Sequence, residues 1–248
     1  MSPFLFGVFV CAMAGAVAWG LDLGVAAYAL SFWHYFVYWL GYLFCAVPLA
    51  AFKRDAIMMK SVAMGVLGWA FLSGAPDLLS VTVMTLGFAL NTYAATIMGS
   101  DRCYYGYEIG GLPGRRITAF PYSITAHPML IGNIVAFGGA LINSDFRERW
   151  WPLAMMHVGM NVGLLIMETT LRAGSGGGRS VAARWIIGLV IPAFGAAVGF
   201  AAQAQHGPLI GAAVGLCVCA YAFTLFFLYT RGLGENAARQ TVATGSLT

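Results

Sequence analysis

Long apolar stretches repeat along the whole chain, separated by glycines and short groups of charged residues. Most of them approach the roughly 20 residues that an α-helix needs to cross the hydrocarbon core of a bilayer. We therefore predict an all-α fold, a polytopic transmembrane helical bundle of about eight helices. The predicted helices lie near residues 4–21, 29–52, 61–75, 78–98, 128–143, 151–170, 185–204 and 208–229.

The composition supports a membrane protein. Hydrophobic residues make up 60% of the 248 residues and charged residues 9%, whereas soluble domains carry roughly 25% charged residues. We interpret the chain as an integral, multi-pass membrane protein, located in the endoplasmic reticulum of a eukaryote or in the inner membrane of a bacterium. We expect no metal site, because four of the five cysteines lie inside apolar stretches where they pack as small side chains.

Basic residues indicate the orientation in the membrane. If the N-terminus is cytoplasmic, the predicted loops at 53–60, 99–127 and 171–184 and the tail from 231 hold 11 of the 13 Lys and Arg residues. This distribution obeys the positive-inside rule, so we predict that both termini are cytoplasmic. The net charge of +4 is spread over several loops, which argues against a nucleic-acid partner.

A glycine-rich run near residue 174 divides the predicted bundle in two, since a sequence such as Gly-Ser-Gly-Gly-Gly forms a flexible linker. We predict four parts. They are a membrane-embedded domain over residues 1–170 with its core at 80–170, a flexible cytoplasmic linker at 171–184, a C-terminal transmembrane helix pair at 185–230 and a polar tail at 231–248.

Glu168 is the most informative ionisable residue. It ends the sixth predicted helix, and His157 and Asn161 lie 11 and 7 positions before it, within about 40° of one another around the helix axis. Ionisable groups in membrane segments are costly and often functional. We expect a functional role for Glu168, whereas His157 and Asn161 are interpreted as hydrogen-bonding partners of a neighbouring helix.

The longest predicted connection, residues 99–127, is a second candidate site, since loops of this length in compact folds tend to be functional. Pro128 suits the first turn of the next helix, and a helix N-terminus attracts anionic groups. Arg115 and Arg116, some 12 residues upstream, either bind a carboxylate or a lipid phosphate or anchor the loop to anionic lipid.

Three segments of this region resemble, in order, motifs of the phospholipid N-methyltransferase family. They are Tyr104-Tyr105-Gly106, the run Arg116-Ile117-Thr118-Ala119-Phe120-Pro121-Tyr122, and His127-Pro128-Met129-Leu130-Ile131-Gly132. These membrane enzymes convert phosphatidylethanolamine towards phosphatidylcholine. The resemblance covers about residues 80–170. The His-Pro pair is also similar, more weakly, to a motif of the isoprenylcysteine carboxyl methyltransferases.

The sequence departs from the family pattern at two places. The acidic pair that the family uses for cofactor binding falls on Met167 and Glu168, so one acid of two is present. The Gly-x-Gly of the preceding helix falls near residues 81–83, where no glycine stands. The missing acid, together with Leu130 where the family has a tyrosine, leaves room for altered substrate preference or weak activity.

The resemblance implies an S-adenosylmethionine-dependent methyltransferase that acts on the amine of phosphatidylethanolamine, or of its mono- and dimethyl derivatives, in phosphatidylcholine synthesis. Such an amine must lose a proton before it can attack. Glu168 is the best-placed acceptor and His127 the second, although Glu168 could instead bind the amino group of the cofactor. The residues implied to form the cofactor site are Tyr105, Gly106, Arg115, Arg116, His127, Pro128, Gly132 and Glu168.

Three alternatives stay open at this point. An isoprenylcysteine-type carboxyl O-methyltransferase would use the same cofactor on a prenylated acceptor. In a non-enzymatic transporter the stripe of His157, Asn161 and Glu168 would line a path, although no pair of broken helices is visible in matching halves of the sequence. The third is an inactive relative with a structural role. The expected partners are a phospholipid substrate and the membrane, and the oligomeric state is left open.

Overall fold

The computed structural model describes residues 27–28, 30–174 and 189–245 of the chain. These residues form eight helices and no strand, which confirms the predicted all-α fold. The predicted helix at 4–21 and most of the predicted linker at 171–184 lie outside the described residues. The helices are α1 Trp33–Phe44, α2 Leu49–Leu72, α3 Leu78–Met98, α4 Ser100–Cys103, α5 Pro128–Ala140, α6 Ser144–Thr170, α7 Ile191–His206 and α8 Pro208–Gly245.

Four of these helices are long and apolar enough to cross a membrane. They are α2, α3, α6 and the part of α8 from Pro208 to Phe227. The shorter helix α5 is also apolar, at 13 residues, or about 20 Å of helix. A helical bundle with several such segments is a membrane protein, as the composition indicated.

One predicted loop was wrong. Residues 53–60, predicted to separate two helices, lie inside the continuous helix α2. The break comes earlier, at Cys45 in the left-handed region with φ 47° and at Pro48, which directly precedes α2. Charged residues do not end this helix, since lysine and arginine are good helix formers; here Lys53 pairs with Asp101 at 2.7 Å and Arg54 hydrogen-bonds to the next side chain.

Helix α6 begins earlier than the predicted residue 151. The side chain of Asn143 caps its first turn, since its oxygen accepts from the backbone N–H of Phe146 at 2.8 Å, and α6 runs from Ser144. Caps of this kind typically contribute about 1 kcal/mol. The first turns of α6 therefore carry the exposed charges that the sequence analysis assigned to a loop.

Helices α3 and α5 lie antiparallel in close contact. Near one end, Asn91 Nδ2 donates to the carbonyl of Met129 at 2.9 Å; at the other, Asn143 Nδ2 donates to the carboxylate of Asp77 at 2.9 Å. Between them two glycines let the backbones approach: a Cβ on Gly132 would lie 2.6 Å from the carbonyl oxygen of Gly87. Small residues at such contacts are typical of membrane helix packing.

Several helix ends meet at the end of the bundle that carries residues 99–127, which we name the loop end. Tyr42, near the end of α1, donates its hydroxyl to the carbonyl of Leu171 just after α6, at 2.9 Å. The opposite end of α2 packs on the start of α6, with the rings of Phe71 and Phe146 5.8 Å apart. The end of α6 therefore lies at the loop end. Helix α5 also begins there, because Pro128 directly follows residues 99–127.

Helices α7 and α8 pack on each other and on α1. The rings of Trp33 and Tyr221 stack with their centroids 4.0 Å apart, and Phe32 meets Phe194 edge-on at 5.2 Å. The predicted C-terminal helix pair thus packs on α1. The division of the chain into four parts stays a prediction.

The contact between α3 and α5 gives a stability test. Gly132→Ala should destabilise the protein by about 1–3 kcal/mol, because the added Cβ meets the backbone of α3 and the helices must separate. Gly138→Ala is the matched control on the same helix, since a Cβ there meets nothing within 4 Å. Thermal unfolding in detergent measures both variants; equal Tm values would contradict the close contact.

Candidate active site

A cavity of about 250 Å³ lies at the loop end of the bundle. Helices α1, α2, α3, α5 and α6 and the loop all contribute to its walls, which mix aromatic, apolar and charged side chains. Small-molecule sites commonly have this character. The lining residues are His34, Tyr35, Tyr38, Tyr42, Lys60, Asn91, Met98, Arg102, Cys103, Tyr105, Glu108, Tyr122, Ala126, His127, Pro128, Met129, Leu130, Asn133, Asn161, Leu164 and Glu168.

The carboxylate of Glu168 joins the two halves of the predicted site. Its Oε1 accepts from the hydroxyl of Tyr105 at 2.6 Å, and its Oε2 lies 3.0 Å from Nδ1 of His127. The side chains of His127 and Glu168 are 24% and 19% exposed, so a molecule in the cavity can reach both. The segment before Pro128 and the end of α6 therefore converge, as a cofactor site formed by both of them needs.

The loop holds Tyr105 in a strained conformation. Tyr105 has φ 57°, a region that costs a residue other than glycine about 1–3 kcal/mol. Its ring is buried against Tyr42 at 5.1 Å and Phe52 at 5.6 Å. The next residue, Gly106, donates its N–H to the carbonyl of Asp101 at 2.9 Å, and a Cβ there would lie 2.6 Å from that oxygen. This packing holds the hydroxyl of Tyr105 against Glu168.

His127 is positioned by the start of α5. It is the last residue before the helix, with Pro128 in the first turn, as predicted. Its backbone N–H donates to the hydroxyl of Thr125 at 3.3 Å. Because Pro128 is buried and rigid, the imidazole projects from a fixed point beside Glu168.

A second carboxyl group faces the same cavity. Glu108 comes from the loop and is half-buried. Burial raises the pKa of Glu108, and the like charge of Glu168 raises it further. Met167, where the family has its first acid, is buried in the core. The cavity thus contains two acidic side chains, although only one lies on α6.

The hydroxyl of Tyr105 acts as a donor over the whole physiological pH range. Burial raises the pKa of Tyr105 well above its usual value, and the charge of Glu168 and the hydrogen bond to it act in the same direction. A phenol that keeps its proton stabilises a neighbouring carboxylate. One carboxylate oxygen of Glu168 therefore accepts a hydrogen bond from a phenol that stays protonated.

The remaining predicted site residues lie outside this cavity. Arg115 and Arg116 line a separate, neighbouring pocket of about 400 Å³ that shares Met98, Tyr122 and Ala126 with the first. Gly132 belongs to the contact between α3 and α5, and Gly106 shapes the turn after Tyr105. Of the predicted residues, the cavity itself brings together Tyr105, His127, Pro128 and Glu168.

A buried hydrogen-bond network forms part of the cavity wall, which Tyr35, Asn133 and Asn161 line. Asn161 accepts from Asn133 Nδ2 at 3.1 Å and donates to the hydroxyl of Tyr35 at 2.9 Å. That hydroxyl also lies 2.8 Å from Nδ1 of His157. The network joins α1, α5 and α6, which confirms that His157 and Asn161 bond neighbouring helices. These bonds give His157 and Asn161 a structural role, while the carboxylate of Glu168 on the same helix faces the cavity.

Residues 76–173 match the family model of the phospholipid methyltransferases. This segment is therefore similar to the phospholipid methyltransferase domain. It contains α3 to α6 and the loop, and it supplies Tyr105, His127 and Glu168 to the cavity. The match confirms the resemblance found over about residues 80–170. No curated protein and no solved structure matches the chain.

A smaller part of the cavity wall lies outside residues 76–173, and the sequence analysis did not assign it to the site. Tyr38, Tyr42 and Lys60 come from α1 and α2. The tyrosines look like ordinary core aromatics in the sequence, and Lys60 was assigned to a loop. Glu108 could have been found, since it is an acid three residues after the motif tyrosine Tyr105.

The buried network predicts a stability effect at Tyr35. Tyr35→Phe should lower the free energy of unfolding by about 1–3 kcal/mol, because Nδ1 of the fully buried His157 loses its partner. Tyr93→Phe is the control, since Tyr93 is 51% exposed. Thermal unfolding in detergent measures both changes, and an unchanged Tm for Tyr35→Phe would contradict a structural role for the network.

Proposed function

We propose that the chain is an S-adenosylmethionine-dependent N-methyltransferase that methylates the amine of phosphatidylethanolamine, or of its mono- and dimethyl derivatives, in the endoplasmic reticulum of a eukaryote or the inner membrane of a bacterium. The observation that carries the proposal is the contact of Glu168 with Tyr105 and His127, inside a cavity of a phospholipid methyltransferase domain. Phosphatidylcholine would be the final product.

The lining residues fit a cofactor with cationic and apolar parts. Glu108 and Glu168 offer carboxylates to an ammonium or sulfonium group, and Met98, Leu130 and Leu164 offer apolar contacts. Tyr38 and Tyr42 add aromatic faces, which attract cations. When bound, S-adenosylmethionine would supply an electrophilic methyl group, and the chain's own residues would hold and align the acceptor, which is the main requirement of a displacement of this kind.

The acceptor amine needs a proton acceptor beside it. An ammonium has no free lone pair, so its proton must leave before the N–C bond forms. The two candidate acceptors, Glu168 and His127, are hydrogen-bonded to each other at 3.0 Å. A proton taken up by either group can therefore be shared by the pair, and Tyr105 keeps the carboxylate oriented.

The negative charge of Glu168 and of Glu108, which interacts with it, favours an amine over a carboxylate as the methyl acceptor at this part of the cavity. A prenylcysteine carboxylate would enter beside Glu108 and Glu168, and like charges at short range in a partly desolvated site repel strongly. An ammonium would be attracted to the same groups. We therefore favour the phospholipid amine over the isoprenylcysteine-type acceptor.

The position of the cavity suits one soluble and one lipid substrate. It lies at the loop end, where the sequence places most basic residues and where the positive-inside rule puts the cytoplasm. The soluble cofactor would arrive from that side. The lipid would enter laterally between apolar helices, so its amine reaches Glu168 while its acyl chains stay in the bilayer.

Substitution of Glu168 tests the proposal. Glu168→Gln should leave the protein folded, because glutamine still accepts from Tyr105, but should lower methyl transfer at least a hundredfold with all three amine substrates, since the proton acceptor is lost. The measurement is transfer of label from S-adenosylmethionine to lipid in proteoliposomes. Glu148→Gln is the matched control, an exposed acid near the other end of α6.

The outcomes separate the roles clearly. Wild-type activity in Glu168→Gln would remove Glu168 from the site, and transfer to a prenylated carboxylate but not to phosphatidylethanolamine would replace the proposed substrate. Absence of any transfer, together with absence of S-adenosylhomocysteine binding to the wild-type protein, would point to transport or to an inactive relative.

Tyr105 gives a second, graded test. Tyr105→Phe should reduce kcat/KM about tenfold, because Glu168 loses one charge-assisted hydrogen bond and its orientation. Tyr107→Phe is the control two residues further along the loop, where the ring is 59% exposed. Steady-state kinetics compare the two variants, and equal kcat/KM values would separate the Tyr105 hydroxyl from the reaction.

A further inference from the structure

Lys60 has an unusual position for a lysine. It lies eleven residues after Leu49 and twelve before Leu72, at the middle of the 24-residue helix α2, which is long and apolar enough to span a membrane. A lysine at that depth is costly unless an anion or water compensates its charge. Ionisable residues of this kind usually face a cavity or the bundle interior.

The side chain of Lys60 faces the cavity, which it lines together with Glu168. No hydrogen bond or ion pair among the described residues engages its ammonium; the described salt bridges are those of Lys53, Arg54 and His127. The charge of Lys60 interacts electrostatically with His34 and Cys103. Neither of these groups carries a compensating negative charge at neutral pH.

A second cation lines the same cavity. Arg102 also lines the cavity; one of its terminal nitrogens donates to the carbonyl of Pro113 at 3.3 Å, but its Nε is buried with no partner. The cavity therefore has a basic wall at Lys60 and Arg102 besides the acidic groups Glu108 and Glu168. Such a site matches a zwitterion, with an oxyanion on one side and an amine on the other.

The surroundings leave room for a ligand at this wall. Helix α2 packs on α1 and α6, and α3 packs on α5. Lys60 on α2 and Asn91 and Met98 on α3 line the same cavity of about 250 Å³. A lipid headgroup or the amino-acid end of a cofactor can reach the ammonium there.

We propose that Lys60 binds an oxyanion of a bound substrate, either the phosphodiester of the phospholipid or the carboxylate of the cofactor. This inference rests on the proposed function. Lys60 precedes the methyltransferase domain at 76–173, so α2 would complete the substrate site from outside that domain. The ammonium fixes the anionic group, and the amine or sulfonium end of the same molecule then lies towards Glu168.

Kinetics of the full-length protein in proteoliposomes test this role. Lys60→Met should raise KM about tenfold or more for the substrate whose anion it binds, since a charge-assisted bond is lost from a partly buried site, while the KM for the other substrate and the Tm stay unchanged. A higher KM for phosphatidylethanolamine assigns the phosphate. A higher KM for S-adenosylmethionine, with weaker S-adenosylhomocysteine binding, assigns the carboxylate.

Two further variants control for charge and folding. Lys60→Arg keeps the cation and should restore most of the affinity. Lys53→Met removes the same charge from the same helix, but Lys53 pairs with Asp101 at 2.7 Å in an exposed position that contributes little to stability, so its KM values should match the wild type. If Lys60→Met does not accumulate as folded protein, Lys60→Gln takes its place.

A comparison of substrates with the wild-type protein is independent of any substitution. One pair is phosphatidylethanolamine and a diacyl amine lipid without phosphate; the other is S-adenosylmethionine and its decarboxylated analogue. In one of the two pairs, the compound that lacks the phosphate or the carboxylate should have a KM about tenfold higher than the compound that carries it. Equal KM values within both pairs, or unchanged KM values in Lys60→Met, overturn the role of Lys60. Absence of methyl transfer by the wild-type protein would instead refute the proposed function.

Discussion

The carboxylate of Glu168 is the constraint on which the site depends. A charge near the end of an apolar helix is costly unless it is compensated, and here Tyr105 and His127 meet its two oxygens at 2.6 and 3.0 Å. To reach it, the loop holds Tyr105 at φ 57° and α5 begins directly after His127. The energy of these contacts offsets the strain and fixes the loop, α5 and α6 relative to one another.

The site extends beyond the segment that matches the phospholipid methyltransferases. Residues 76–173 supply the acid, the imidazole and the phenol, but α1 contributes the tyrosine wall and α2 contributes Lys60. Helices α7 and α8 pack on α1 through stacked rings such as Trp33 and Tyr221. The flanking helices therefore form part of the cavity or support the helix that does.

The sequence was sufficient for the fold class and for the convergence of the loop with Glu168, because long apolar stretches, the motif order and the distribution of basic residues are local signals. It was insufficient where partners decide the outcome. Residues 53–60 were assigned to a loop because of their charges, whereas they lie inside α2 and Lys60 faces a cavity formed together with other helices. The role of Gly132 depends on the backbone of α3 opposite it, and no local pattern reveals that contact.

The most direct test of the central claim is an experimental structure of the full-length protein with S-adenosylhomocysteine bound. We expect the ligand in the cavity between the loop and α6, where it contacts Glu168 or the neighbouring His127. The hydroxyl of Tyr105 should still donate to the carboxylate of Glu168. A ligand bound elsewhere on the protein, or Glu168 and His127 on opposite faces of the membrane, would contradict the proposed site.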